Sequence, residues 1–156
     1  MKSLADLLAE FPLLADLSEA QRATVAGCGT NVVFPDGVAL FREGDDADTF
    51  FAVRRGAVAL EIASPARGPL AIETLHEGDV VGWSWLFAPY RTRFDARARG
   101  EVHAIAFDGA CLRGKCEADH ELGYELMRRF ASVLTDRLQA TRMQLLDLYG
   151  APAASG

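Results

Sequence analysis

The stretch "LFREGDDADTFFAVRRGAVAL" (residues 40–60) decides how this chain is read. An apolar pair, Leu40 and Phe41, leads into a turn made by Gly44, Asp45 and Asp46. In the run that follows, Phe51 and Val53 stand at alternate positions, as they would on a strand with one inward face. Past Gly56, Val58, Leu60 and Ile62 alternate with Ala59 and Glu61, again the period of a half-buried strand. Gly44 and Gly56 permit turn conformations that other residues avoid.

Working outward, the same period holds from Thr30 to Phe107. Turn signals recur at Pro35-Asp36-Gly37, Ser64-Pro65, Gly68-Pro69, Gly78-Asp79 and Gly100, about 8 to 12 residues apart. Short strands at that spacing predict a mainly β fold with flanking helices, of β-roll or jelly-roll type. Upstream, Leu4, Leu7 and Leu8 predict a short helix over Lys2 to Glu10. "SEAQ" at Ser18 reads as a capping box opening a second helix, which Gly27 and Gly29 end. Downstream, Asp108 caps a short helix through Cys116, and a long helix runs from about His120 to Tyr149. Its apolar stripe is Leu122, Leu126, Phe130, Val133, Leu138, Leu145 and Leu148, with Met127, Leu134, Met143 and Leu146 beside it. About 30 residues at 1.5 Å each make a rod near 45 Å, long for one small barrel. Its first half is expected to cover the roll and its second half to meet another copy, giving a homodimer.

One domain over residues 1–150 is therefore expected: helices over 1–29, a β-roll over 30–107 and helices over 108–149. Residues 151–156, "APAASG", are expected to be a disordered tail.

Composition narrows the function. A formal charge of −6 and a pI near 5.0 give no general attraction to phosphate backbones. No run supplies the roughly 18 apolar residues that cross a bilayer, and Asp6 and Glu10 break any signal-peptide core, so a cytoplasmic protein is expected. Cys28, Cys111 and Cys116 are odd in number and lack zinc-knuckle spacing, so they read as buried or half-buried free thiols. His76, His103 and His120 are far apart, and no P-loop or Ser-His-Asp pattern is present, so no enzyme and no metal or other cofactor is expected. Asp45, Asp46 and Asp48 read as turn chemistry, since a calcium loop's spacing and closing glutamate are missing.

The layout and the residues together resemble the cyclic-nucleotide-binding domain family. The hallmark is carried by Leu40, Phe41, Gly44, Asp45, Asp48, Phe51, Val53 and Gly56, and "GDVVGW" resembles the approach to the family's phosphate-binding cassette. The resemblance runs from about Ser18 to Tyr149 and implies a β-roll sensor of cyclic AMP or cyclic GMP. In the family a glycine and a short helix's N–H groups hold the cyclic phosphate, a glutamate bonds the ribose, and an arginine pairs with the phosphate. Gly82 matches the glycine. Trp83 stands at the glutamate's place and has a donor but no acceptor.

Counting back from Ala98 puts Phe94, Ala96 and Ala98 on the core face and Thr92 in the arginine's slot. Arg91, Arg93, Arg97 and Arg99 then face out. A one-residue bulge would instead turn Arg91 or Arg93 inward. Trp83 and Trp85 read as core filling or as a stacking platform for a flat ligand, and Ser84 as a hydroxyl donor or a cap. The candidate ligand-binding residues are thus Gly82, Trp83, Ser84, Arg91, Thr92 and Arg93.

Two functions follow. One is a regulatory domain that senses a cyclic nucleotide or related anion and acts on an unidentified partner protein. The other is a degenerate copy that binds no ligand and serves as a dimeric interaction module. Family members often carry a helix-turn-helix after the long helix; with six residues after Gly150, no DNA-binding output is expected here.

Overall fold

A computed structural model describes residues 2–150, so the expected tail lies outside the described residues. Four helices and six strands follow in the order α1 (Leu4–Leu8), α2 (Glu19–Ala26), β1 (Gly29–Phe34), β2 (Ala39–Phe41), β3 (Thr49–Ser64), β4 (Gly68–Leu75), β5 (Val80–Val81), β6 (Asp95–Asp108), α3 (Gly109–Ala118) and α4 (His120–Gly150). A 3-10 turn, Ser84–Leu86, lies between β5 and β6. All pairings are antiparallel, in the order β1-β6-β3-β4, with β2 added to β6 and β5 to β3. The mainly β roll with flanking helices is as expected.

Two long strands build it. β3 and β6 pair along most of their length, but the register shifts between Val53 and Ala57. The cause is Gly56, at φ 96°, where a Cβ would sit 2.5 Å from the Glu101 carbonyl. Gly100, at φ 74°, does the same on β6. In sequence both glycines are turn signals; in the structure they are corners inside continuous strands. At this corner the ribbon folds over, carrying residues 57–64 and 95–99 toward β2 and β4.

Folding over gives two cores. Inside the roll lie Phe51, Val53, Val58, Leu60, Ala96, Ala98 and Val102. On the other face, Phe50, Ala52, Ile105 and Phe107 pack against Leu8, Leu14 and Val25 from the N-terminal segment and Leu122, Leu126 and Phe130 from α4. Phe51 and Val53 do face inward, and Phe50 and Ala52 are buried too because the helices cover their face. The alternation ends differently from the expectation. Ile62 is 43% exposed while Glu61 is 5% exposed. A bulge between Leu60 and Glu61 on the β4 side accompanies the change. The Glu61 carboxylate accepts from Arg97 Nε at 3.0 Å, and Arg97 also donates to the Gly37 carbonyl, so this arginine is not simply part of a solvated row.

The caps are legible from composition. Ser18 and Gln21 form the expected box, Ser3 and Asp6 form a second, and Asp108 accepts from the Cys111 N–H. The free-thiol reading fails for two cysteines. Cys28 and Cys111 are joined as a disulfide, 5.9 Å between Cα atoms, because the first turn of α3 lies on the start of β1. Cys116 is free and half-buried. No helix among the described residues is long and apolar enough to cross a membrane.

Candidate functional site

Gly82 follows β5 with φ 97°, in the left-handed region that a side chain would disfavour. A Cβ there would stand in ordinary contact distance of Phe41 and Phe50. Its conformation turns the chain out of the sheet and into Ser84–Leu86, one helical turn closed by Leu86 N–H on the Trp83 carbonyl. Ser84 is buried, and Trp85 is 1% exposed. The two tryptophans point away from the roll's interior: both belong to the helix-side core. Trp85 stacks on Phe50, 4.9 Å between centroids, and meets Phe130 of α4 edge-on. Its indole N–H has no hydrogen-bond partner. Trp83 is half-buried and meets Phe87 edge-on.

The segment after this turn closes the mouth of the roll. Ala47 N–H donates to the Tyr90 carbonyl at 2.7 Å, Thr92 N–H to Asp45 at 2.9 Å, and Gly44 N–H to Thr92 at 2.9 Å. The "GDDAD" loop (44–48) and residues 90–92 are therefore clasped by backbone bonds. Thr92 faces in, 7% exposed, and its hydroxyl donates to the Arg42 carbonyl. Phe94 is packed against the roll core, with Ala96 and Ala98 fully buried behind it. Arg91 lies outside, paired with Asp46 at 2.8 Å, and Arg93 is exposed. The side chains thus keep the register counted back from Ala98, without the bulge that would invert it.

Beneath the clasp lies a cavity of about 180 Å³ lined by Leu40, Phe41, Phe51, Thr92 and the three aspartates Asp45, Asp46 and Asp48. Drug-sized ligands occupy roughly 300 Å³ or more. The cavity as it stands is smaller and is acidic, and Phe41 stacked on Phe51 at 6.5 Å fills its floor. A nucleotide would need the clasp open. Arg91 is held to Asp46 of the lining by a bond between two exposed side chains, a class that contributes about 1 kcal/mol or less.

Sequence reasoning missed the links that tie this turn to the helices. Arg113 of α3 donates to the Trp85 carbonyl and lies 4.3 Å over the Tyr90 ring. Gly109 meets Trp85 so closely that a Cβ there would lie 2.9 Å from the tryptophan's own. Arg137 of α4 donates to the Val80 carbonyl, just before Gly82. A short glycine- and arginine-bearing helix after the last strand is the sequence signal for the α3 contacts.

The family model described as cyclic nucleotide-binding domain matches residues 31–119. No curated protein matches the chain. Among solved structures, a candidate cyclic nucleotide-binding protein of Geobacter metallireducens GS-15 is 29% identical, with TM-score 0.79, over 88% of this chain and 99% of that one. The N-terminal domain of a transcriptional regulator from Streptomyces coelicolor A3(2) is 27% identical, with TM-score 0.69, over 86% and 94%. The regulatory domain of Toxoplasma gondii PKA, solved with cAMP, shares the fold at 18% identity and TM-score 0.68, over 88% of this chain and 49% of that one.

Proposed function

The chain belongs to the cyclic nucleotide-binding domain family, and we propose on that premise that it is a cytoplasmic small-molecule-sensing regulatory domain. The ligand is a cyclic nucleotide or a related anion. It is taken between the turn after Gly82 and the clasp, where Gly82, Ser84 and Thr92 face it. Arg91, released from Asp46, and Arg93 supply the positive charge. Trp83 and Trp85 stand behind the site and transmit its state.

One observation carries the reading. The turn that follows Gly82 is packed through Trp85 against both Phe50 of the roll and Phe130 of α4, which also meet each other. A ligand that moves this turn must move Trp85, and Trp85 cannot move without repacking α4. Differential affinity for the two arrangements then biases whatever α4 contacts. The second half of α4 carries Leu138, Met143, Leu145, Leu146 and Leu148, each at least 50% exposed. That face takes a second copy, and the paired sensor acts on a partner protein.

The test is tryptophan emission during titration with cyclic AMP and cyclic GMP, with calorimetry alongside. A saturable change that weakens on Arg91→Gln is expected. A flat trace and no heat with either nucleotide, or with a panel of phosphorylated metabolites, would overturn the reading in favour of a module that binds no ligand.

A further inference from the structure

The Cys28–Cys111 disulfide joins positions 83 residues apart in sequence. We infer that it is a reversible redox control on the coupling between the Gly82 turn and α4, an inference that rests on the cytoplasmic sensor reading above. In a reducing compartment, a disulfide that forms is usually transient, catalytic or redox-sensing.

Its position gives it that reach. Cys28 sits between α2 and β1, and Cys111 in the first turn of α3. The same helix touches both sides of the sensor. Gly109 and Arg113 hold Trp85, while Cys116 packs against Gly123 of α4. Without the bond, this end of α3 is held by hydrogen bonds such as Asp108 N–H to the Cys28 carbonyl at 2.9 Å and Gly109 N–H to Asp48 at 2.7 Å. The bond therefore sets how firmly α3 clamps Trp85.

The bond lies at the edge of the helix-side core, with Cys28 7% exposed and Cys111 half-buried. Cys28 lines a cavity of about 350 Å³ with Thr30, Thr49 and Asp108. The co-reactant is a small dithiol. One of its thiolates attacks Cys28 Sγ, the bond to Cys111 Sγ breaks, and its electron pair leaves on Cys111. The dithiol's second sulfur then displaces Cys28, closing a cyclic disulfide. The dithiol is oxidised by two electrons, and its two protons end on Cys28 and Cys111. Cys116 does not compete as an internal nucleophile: burial first, then Asp119 and Glu117, push its thiol up.

The experiment uses the full chain without ligand. Cysteines are alkylated in the quenched protein and counted by mass spectrometry, before and after native incubation with dithiothreitol. One free thiol before and three after are expected. Reduction should also bring loss of hydrogen-exchange protection over residues 109–118 and the first half of α4, and a shift in tryptophan emission. Glutathione disulfide should restore all three. The Cys28→Ser, Cys111→Ser double variant should match the reduced protein; should it fail to fold, reduced wild type still carries the test. A bond that resists dithiothreitol until denaturant is added would overturn the inference. So would reduction that leaves exchange and emission unchanged, or three thiols that never pair under glutathione disulfide. Because no ligand is used, failure of nucleotide binding and failure of this switch are separate results.

Discussion

Trp85 meets Phe130 edge-on with 5.4 Å between ring centroids, and this contact joins the turn after Gly82 to the long C-terminal helix. Phe50 stacks on the indole and itself meets Phe130 edge-on, so three aromatic rings from β3, the turn and α4 share one site. Packing of this density does not deform by degrees; it has discrete arrangements. The unpartnered indole N–H adds a bias of its own. A buried donor left unsatisfied costs about 1–3 kcal/mol, which a displaced Trp85 would recover in water.

Phe130→Ala should therefore do two things. Losing a fully buried phenylalanine is expected to cost about 3–5 kcal/mol by chemical denaturation. In the native protein, tryptophan emission should move to longer wavelength as Trp85 loosens. Equal destabilisation with unchanged emission would mean that Trp85 is held by Phe50 and Arg113 alone.

Thr92 governs what the roll can hold. Thr92→Val removes the donor to the Arg42 carbonyl and should destabilise by about 1–2 kcal/mol. Thr92→Arg places a guanidinium at the inward position, where a charge-assisted fork could meet a phosphate. Its affinity for cyclic AMP, measured by calorimetry, should rise at least about tenfold over wild type, since bonds to charged groups contribute about 1.5–3 kcal/mol. An unchanged affinity in a variant with a normal thermal melt would place the phosphate elsewhere.

Two glycines separate the corner from an ordinary turn. Gly56→Ala combines φ 96° with a Cβ 2.5 Å from the Glu101 carbonyl, and backbone cannot step aside cheaply. A loss of about 3 kcal/mol or more is expected. Gly68→Ala has φ 72° but open space, so only the left-handed cost of about 1–2 kcal/mol applies. Paired urea denaturation curves measure the difference directly.

Much of this was legible because it depends on local chemistry. Ser18 with Gln21, Asp108 before α3 and the periodicity of α4 all act within a few residues, and all stand where composition puts them. Counting from Ala98 placed Thr92, since the side-chain period in a strand is two. What could not be read depends on neighbours far along the chain. Glu61 looked like a solvent-facing residue until Arg97 came alongside it, and Ile62 looked buried until the bulge shifted its strand. Trp83 and Trp85 could have faced either core; α3 and α4 decide which. No spacing rule pairs Cys28 with Cys111, because a roll stands between them.

Acid should weaken the junction between the N-terminal segment and α4. A hydrogen bond from Arg129 holds the Asp16 carboxyl below its ordinary range, and bonds from Arg129 and then Arg128 do the same to Glu125. Depressed carboxylates contribute stability that is complete above their unfolded values, near 3.8 and 4.5, and is lost as pH falls through the lower folded values. Thermal melts should therefore drop below about pH 4.5. Arg129→Met should lower the melt at neutral pH and flatten the acid limb. A variant with an unaltered acid limb would assign that limb to other carboxylates.

The exposed half of α4 makes the strongest demand on a second molecule. Leu122, Leu126 and Phe130 are buried against the roll, yet Leu138, Leu145 and Leu148 on the same stripe are 50% or more exposed. A helix that keeps its apolar period beyond its own covering implies a partner for it. Leu145→Glu with Leu148→Glu should leave the fold intact, because neither side chain touches the buried cores, and should shift the protein from dimer to monomer. Sedimentation velocity at micromolar concentration reads both states. Wild-type protein sedimenting as a monomer under those conditions would remove the homodimer and leave the stripe to a different chain. A dimer that survives both glutamates would move the interface off this helix, toward the exposed Ile62, Leu70 and Ile72 of the β3–β4 hairpin.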